Sequence, residues 1–93
     1  MAREAVRITV EGHVQGVGFR WWVVEQGRRL GLEGWVRNRR DGSVEVLAIG
    51  EVDDIVRLRG ACGSGPAGAT VRSVTVETAT DDGSTGFEQK ATL

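Results

Sequence analysis

Apolar and polar residues alternate at the start of the chain. Val6, Ile8 and Val10 are interleaved with Arg7, Thr9 and Glu11, a period of two that predicts a strand with one buried face. The alternation stops at Gly12. From Gly12 to Gly18 three glycines fall in seven positions, which predicts a loop. Phe19, Val23, Gly27 and Leu30 then recur at helical spacing, so a helix is expected over Phe19–Leu30 with that face buried. Gly27 within it costs about 1 kcal/mol relative to alanine, which makes sense if the helix lies very close to a sheet. Gly31 supplies the stop.

Gly34–Asn38 and Val44–Ile49 predict a second and a third strand. Asp41-Gly42 between them marks a hairpin turn, so the two strands should be antiparallel neighbours. A second helix is expected from Glu51 or Val52 to about Cys62, with Ile55, Leu58 and Cys62 facing inward and Gly60 weakening its last turn. Gly63–Gly68 breaks the chain. Val71, Val74 and Val76 belong to a fourth strand whose register slips near Arg72-Ser73, as at a bulge. Asp81–Gly86 reads as a polar turn and Phe87–Leu93 as a short fifth edge strand. The order is βαββαβ with a small extra strand. Two crossover helices on one face of an antiparallel sheet make an α/β (α+β) sandwich of the ferredoxin-like kind. Residues 1–93 read as a single domain. This architecture hosts many functions and decides none by itself.

Composition narrows the field. Hydrophobic residues make up 40% and charged residues 27% of the chain, ordinary for a soluble globular protein. An apolar run of about 18 residues, the length needed for a membrane span, is absent. No apolar leader precedes the first strand. A single cysteine, Cys62, leaves no internal disulfide. These features lead to the expectation of a cytoplasmic protein with no membrane partner, and small size with a polar surface to that of a monomer. The net charge of −1 argues against a general nucleic-acid binder. Arg37, Arg39 and Arg40 nevertheless cluster at the hairpin turn, and Arg20, Arg28 and Arg29 in the first helix. A locally positive site on a near-neutral protein suits a small anion, although charged side chains are mostly just solvated. With one histidine and one cysteine, no metal-ligand spacing is present.

The stretch Gly12-His13-Val14-Gln15-Gly16-Val17-Gly18-Phe19-Arg20 joins a strand to a helix. Such a loop can turn successive backbone N–H groups inward, and the helix start adds free donors and partial positive charge. Arg20 in the first helical turn is disfavoured by roughly 0.3–1 kcal/mol. A bound anion would reverse that, and the guanidinium fork matches two phosphate oxygens. On these features alone a plain glycine-rich connection with an exposed arginine is the favoured reading. The loop is neither a P-loop nor a dinucleotide fingerprint. Asn38 is a poor strand former at a strand end. It either begins the turn or holds a water through its amide.

Taken together, these residues resemble the acylphosphatase family. G-H-V-Q-G-V-G-F-R at 12–20 matches its first signature. Gly34-Trp35-Val36-Arg37-Asn38 followed by Asp41-Gly42-Ser43-Val44-Glu45-Val46 matches its second, and 65–71 a less specific element downstream. The resemblance implies hydrolysis of acyl phosphates to a carboxylate and inorganic phosphate, with no metal and no cofactor. The family's phosphate-binding arginine falls on Arg20 and its water-orienting asparagine on Asn38. The phosphate cradle falls on the backbone N–H groups of Val14, Gln15, Gly16, Val17 and Gly18. The implied partner is a small-molecule acyl phosphate, with inorganic phosphate or sulfate as a competing anion. His13 is expected to face solvent or support the loop rather than act as a base, Cys62 to pack in the core, and Trp21, Trp22 and Trp35 to serve packing. Two rivals remain: a non-catalytic domain of the same family and an RNA-binding module on the same fold. The length and the presence of both key residues favour the free-standing enzyme, and the strands lack the aromatic and basic pattern of the RNA binder.

Overall fold

The computed structural model describes residues 3–93. The elements are β1 (Arg3–His13), α1 (Phe19–Arg29), β2 (Glu33–Asn38), β3 (Val44–Glu51), α2 (Val52–Ser64), β4 (Thr70–Thr78) and β5 (Phe87–Gln89). The sheet order is β4-β1-β3-β2-β5. The neighbours among β1–β4 are antiparallel, and both helices pack on the sheet as the βαββαβ reading expects. Ile8 and Val10 from β1, Val36 from β2, and Val44, Val46 and Ala48 from β3 point into the core. They meet Phe19, Val23 and Val24 of α1 and Ile55, Leu58 and Cys62 of α2. Burial pushes the Cys62 thiol up to about 12, because an apolar surrounding penalises the thiolate.

Three details depart from the sequence reading. The loop does not begin at Gly12. Gly12 and His13 continue β1, paired with Val71 and Thr70. The register shifts between Glu11 and Gly12, leaving Arg72 as the extra residue of the bulge, where the fourth strand was expected to slip. A Cβ on Gly12 would come within 2.2 Å of the Thr70 carbonyl oxygen. This glycine therefore permits a close strand approach rather than a turn.

The second departure is β5, which is shorter than expected. It runs parallel to β2, so the sheet is mixed rather than wholly antiparallel. The chain leaves β4 at one edge of the sheet and returns at the other, beside β2. Beyond β5 the backbone still follows β2: Lys90 N–H donates to the Val36 carbonyl (2.8 Å) and Leu93 N–H to the Asn38 carbonyl (3.2 Å).

Third, α2 runs on to Ser64, through Gly60 and Gly63. The close helix–sheet approach expected at Gly27 is present. A Cβ there would lie 2.6 Å from the Phe87 ring of β5, so α1 settles directly on this edge strand.

Candidate active site

Strand register brings the loop and Asn38 together. Val10 of β1 and Asn38 of β2 both pair with Val44 of β3. Since β1 and β2 are each antiparallel to β3, they run in the same direction, and their C-terminal ends lie at one end of the sheet. The loop following β1 and the last residue of β2 therefore meet. Side chains alternate along a strand, so Asn38 continues the core-facing row of Gly34 and Val36, which are buried. It stands where that row emerges beside the loop.

The loop itself, Val14–Gly18, is anchored by its apolar side chains. Val14 is fully buried and Val17 packs against the core. Gly16 (φ 75°) and Gly18 (φ 78°) take left-handed backbone angles, which glycine adopts without a Cβ penalty. Among the backbone hydrogen bonds of the described residues, none is donated by an N–H of Val14–Gly18. Gly18 precedes α1 without a side-chain cap, and the first turn carries no acidic residue. The loop N–H groups and the positive end of the helix thus have no internal backbone partner or neutralising acid among the described residues.

The Gln15 side chain, whose role the sequence did not reveal, fastens this loop to the β2–β3 hairpin. Its Nε2 donates to the carbonyls of Arg39 (2.7 Å) and Ser43 (2.9 Å), one residue beyond Asn38 and at the far side of the turn. Both carbonyls also accept backbone bonds across the hairpin, so truncating Gln15 leaves them partnered and costs only about 1 kcal/mol of stability. The spacing between loop and Asn38 depends on it more heavily. Gln15→Ala is expected to lower kcat/KM for an acyl phosphate by about tenfold to a hundredfold, with a small fall in Tm. Equal kcat/KM for variant and parent would dismiss the clamp.

A cavity of about 120 Å³ opens at this end of the sheet, lined by Val14, Gly16, Gly18, Phe19, Arg20, Trp21, Asn38 and Gln89. Arg20 and Asn38 thus share one cavity. Arg20 makes no ion pair among the described residues. Asn38 Oδ1 is buried without a hydrogen-bond partner. An unpaired buried acceptor costs about 1–3 kcal/mol, so its presence calls for an explanation.

The other arginines of the expected positive cluster point elsewhere. Arg37 and Arg39 turn to the opposite face of the sheet, where with Arg7 they surround the largely buried Glu45 at 2.7, 3.2 and 3.1 Å. Arg28, Arg29 and Arg40 are exposed. His13 is exposed and does not line the cavity. Trp22 packs edge-on against Phe19, as expected of a packing residue. Trp21 does not follow that expectation. It is 52% exposed and stands in the cavity wall.

Comparison with known proteins places the chain in a family. The family model described as acylphosphatase matches residues 6–89, which includes every cavity-lining residue. The chain belongs to the acylphosphatase family. An acylphosphatase of Rhizorhabdus wittichii is 48% identical over 91 residues, covering 98% of this chain and 92% of the relative. The structure of an acylphosphatase from Coxiella burnetii superposes with a TM-score of 0.90 at 36% identity, over 95% of this chain and 93% of that one. The acylphosphatase from Bacillus subtilis gives the same TM-score at 34% identity, over 96% and 99%. An acylphosphatase is a hydrolase, and membership makes this chain an enzyme of that class whose substrate is a small-molecule acyl phosphate. Among the described residues no helix is long and apolar enough to cross a membrane.

Proposed function

We propose that this acylphosphatase works by attack of water at phosphorus, with the phosphoryl group held by the backbone N–H groups of Val14–Gly18 and by Arg20, and the water held by Asn38. The observation that carries this reading is that Arg20, Asn38 and residues of the loop line one cavity, with the Asn38 Oδ1 buried and unpartnered. The division of labour follows from the chemistry of the substrate. The leaving group is a carboxylate, whose conjugate acid has a pKa of about 4, so it departs without a general acid. What remains is to bind the phosphoryl group, balance the charge on its equatorial oxygens and place water in line.

Arg20 offers a planar fork to two of those oxygens. The loop amides and the uncapped start of α1 supply further donors and positive potential. Asn38 Oδ1 accepts a hydrogen bond from the water and so turns an oxygen lone pair toward phosphorus. Asparagine does not titrate, so the proton of the attacking water passes to a phosphoryl oxygen of the substrate itself. The carboxylate leaves with the electron pair of the broken P–O bond. Inorganic phosphate and sulfate, which carry the same oxygens, compete for the cradle. The non-catalytic rival predicts anion binding without turnover, so release of phosphate separates the two.

Hydrolysis in ¹⁸O-labelled water tests the reading. Label is expected in the inorganic phosphate and not in the carboxylate, with the rate unchanged by a chelator. Label in the carboxylate would mean attack at the carbonyl carbon and would remove the role assigned to Asn38.

A further inference from the structure

With the phosphoryl group at Arg20 and the loop, the acyl group is left to the remaining wall residues and the solvent beyond them. Trp21 and Gln89 contribute to the wall, Trp21 from the turn that carries Arg20 and Gln89 from β5.

Trp21 is the one tryptophan of the three with more than half its surface in water. The other large exposed apolar side chains among the described residues, Val52, Val56, Val76 and Leu93, do not line the cavity. An exposed aromatic ring beside a polar pocket is informative where scattered exposed valines are not. The ring also has a fixed neighbour. The Arg28 guanidinium lies 5.8 Å from its centroid, and Arg28 Nε donates to the Phe87 carbonyl of β5 (3.1 Å). The indole is thereby linked, through Arg28, to the strand that carries Gln89. Trp35 offers no comparable surface. Arg37 and Lys90 lie against its ring at 4.6 and 5.1 Å, and its Nε1 donates to Asp82.

We infer that Trp21 forms an acyl-group subsite at the mouth of the cavity, selecting flat apolar acyl groups, aromatic acyl phosphates above all, over small ones. The inference rests on the reading that the phosphoryl group occupies the cradle. Burying a substrate ring against an indole that is otherwise in water removes apolar surface from both partners.

The test compares kcat/KM for benzoyl phosphate and acetyl phosphate in the parent, Trp21→Ala and Trp21→Phe enzymes, with inorganic phosphate as competitive inhibitor of each. Because the same two substrates are used throughout, their intrinsic reactivities cancel in the comparison between variants. In Trp21→Ala the benzoyl-to-acetyl ratio is expected to fall by about fivefold to tenfold, chiefly through KM for benzoyl phosphate. Trp21→Phe should retain most of the ratio. Equal losses on both substrates would assign Trp21 to the scaffold and overturn the subsite, as would an unchanged ratio. Should Trp21→Ala fail to fold, Trp21→Gln carries the same comparison on a longer side chain that is still a good helix former. The phosphate inhibition separates the two layers. Parent enzyme indifferent to phosphate would refute the cradle, whereas normal inhibition with an unchanged ratio would refute the subsite alone.

Discussion

Replacement of Arg20 by alanine is expected to lower kcat/KM for a simple acyl phosphate by about a thousandfold or more, the scale seen when an arginine that balances phosphoryl charge is lost. Inhibition by inorganic phosphate should weaken at the same time, because the fork meets the same oxygens in the bound ion and in the substrate. Folding should survive. Arg20 has no carboxylate partner among the described residues, and a cation in the first turn of a helix is unfavourable by roughly 0.3–1 kcal/mol. Removing it therefore leaves Tm unchanged or slightly higher. Arg20→Lys should recover only part of the activity, since an ammonium is a point charge without the bidentate geometry. Activity of Arg20→Ala within a few-fold of the parent would show that the loop donors alone hold the phosphoryl group.

Asn38→Ala is expected to behave differently. Its kcat should drop by about a hundredfold, the effect of a misplaced reactant, while phosphate still inhibits because the cradle is intact. The stability outcome is diagnostic. Asn38 Oδ1 is buried and unpartnered, an arrangement that costs about 1–3 kcal/mol. The alanine variant should melt no lower than the parent and can melt higher. A residue that merely began the turn would give the reverse pattern, with lost stability and little change in kcat. That turn is already held by Asp41, which accepts from Ser43 Oγ–H (2.6 Å) and Ser43 N–H (2.9 Å). These bonds hold the Asp41 carboxyl below its ordinary range. Near-normal kcat in Asn38→Ala would end the water-positioning role.

The period-two and helical patterns locate the first four strands and both helices, because the core is a simple layer of helices on one sheet face. The place of Asn38 can also be read from alternation, since it shares the phase of Gly34 and Val36. The same alternation puts Arg37 on the other face. What it does not reveal is Glu45, a carboxylate in a strand phase facing away from the helices, which gathers Arg7, Arg37 and Arg39 away from the cavity. A run of basic residues therefore overstated the positive charge at the site.

The glycine at position 12 reads as a loop because local composition records flexibility and not proximity. Only the partner strand at Thr70 shows why a side chain is excluded there. The direction of β5 is likewise a tertiary matter, since Phe87-Glu88-Gln89 is too short and polar to announce its partner. Gln15 and Trp21 were visible as residues but not as participants. One acts through two carbonyls contributed by a distant hairpin, the other through its exposure at a cavity mouth.

The central claim is that backbone N–H groups of Val14–Gly18 and the Arg20 guanidinium cradle the phosphoryl group. Titration of the ¹⁵N-labelled protein with inorganic phosphate, followed by amide and guanidinium resonances, addresses it most directly. The account predicts that the largest shifts fall on the N–H signals of Val14–Gly18 and on Arg20 Nε–H, saturating together with one dissociation constant that matches the inhibition constant. Shifts centred elsewhere, for example along Gly34, Trp35 and Lys90, or no saturable shift in the loop, would contradict it.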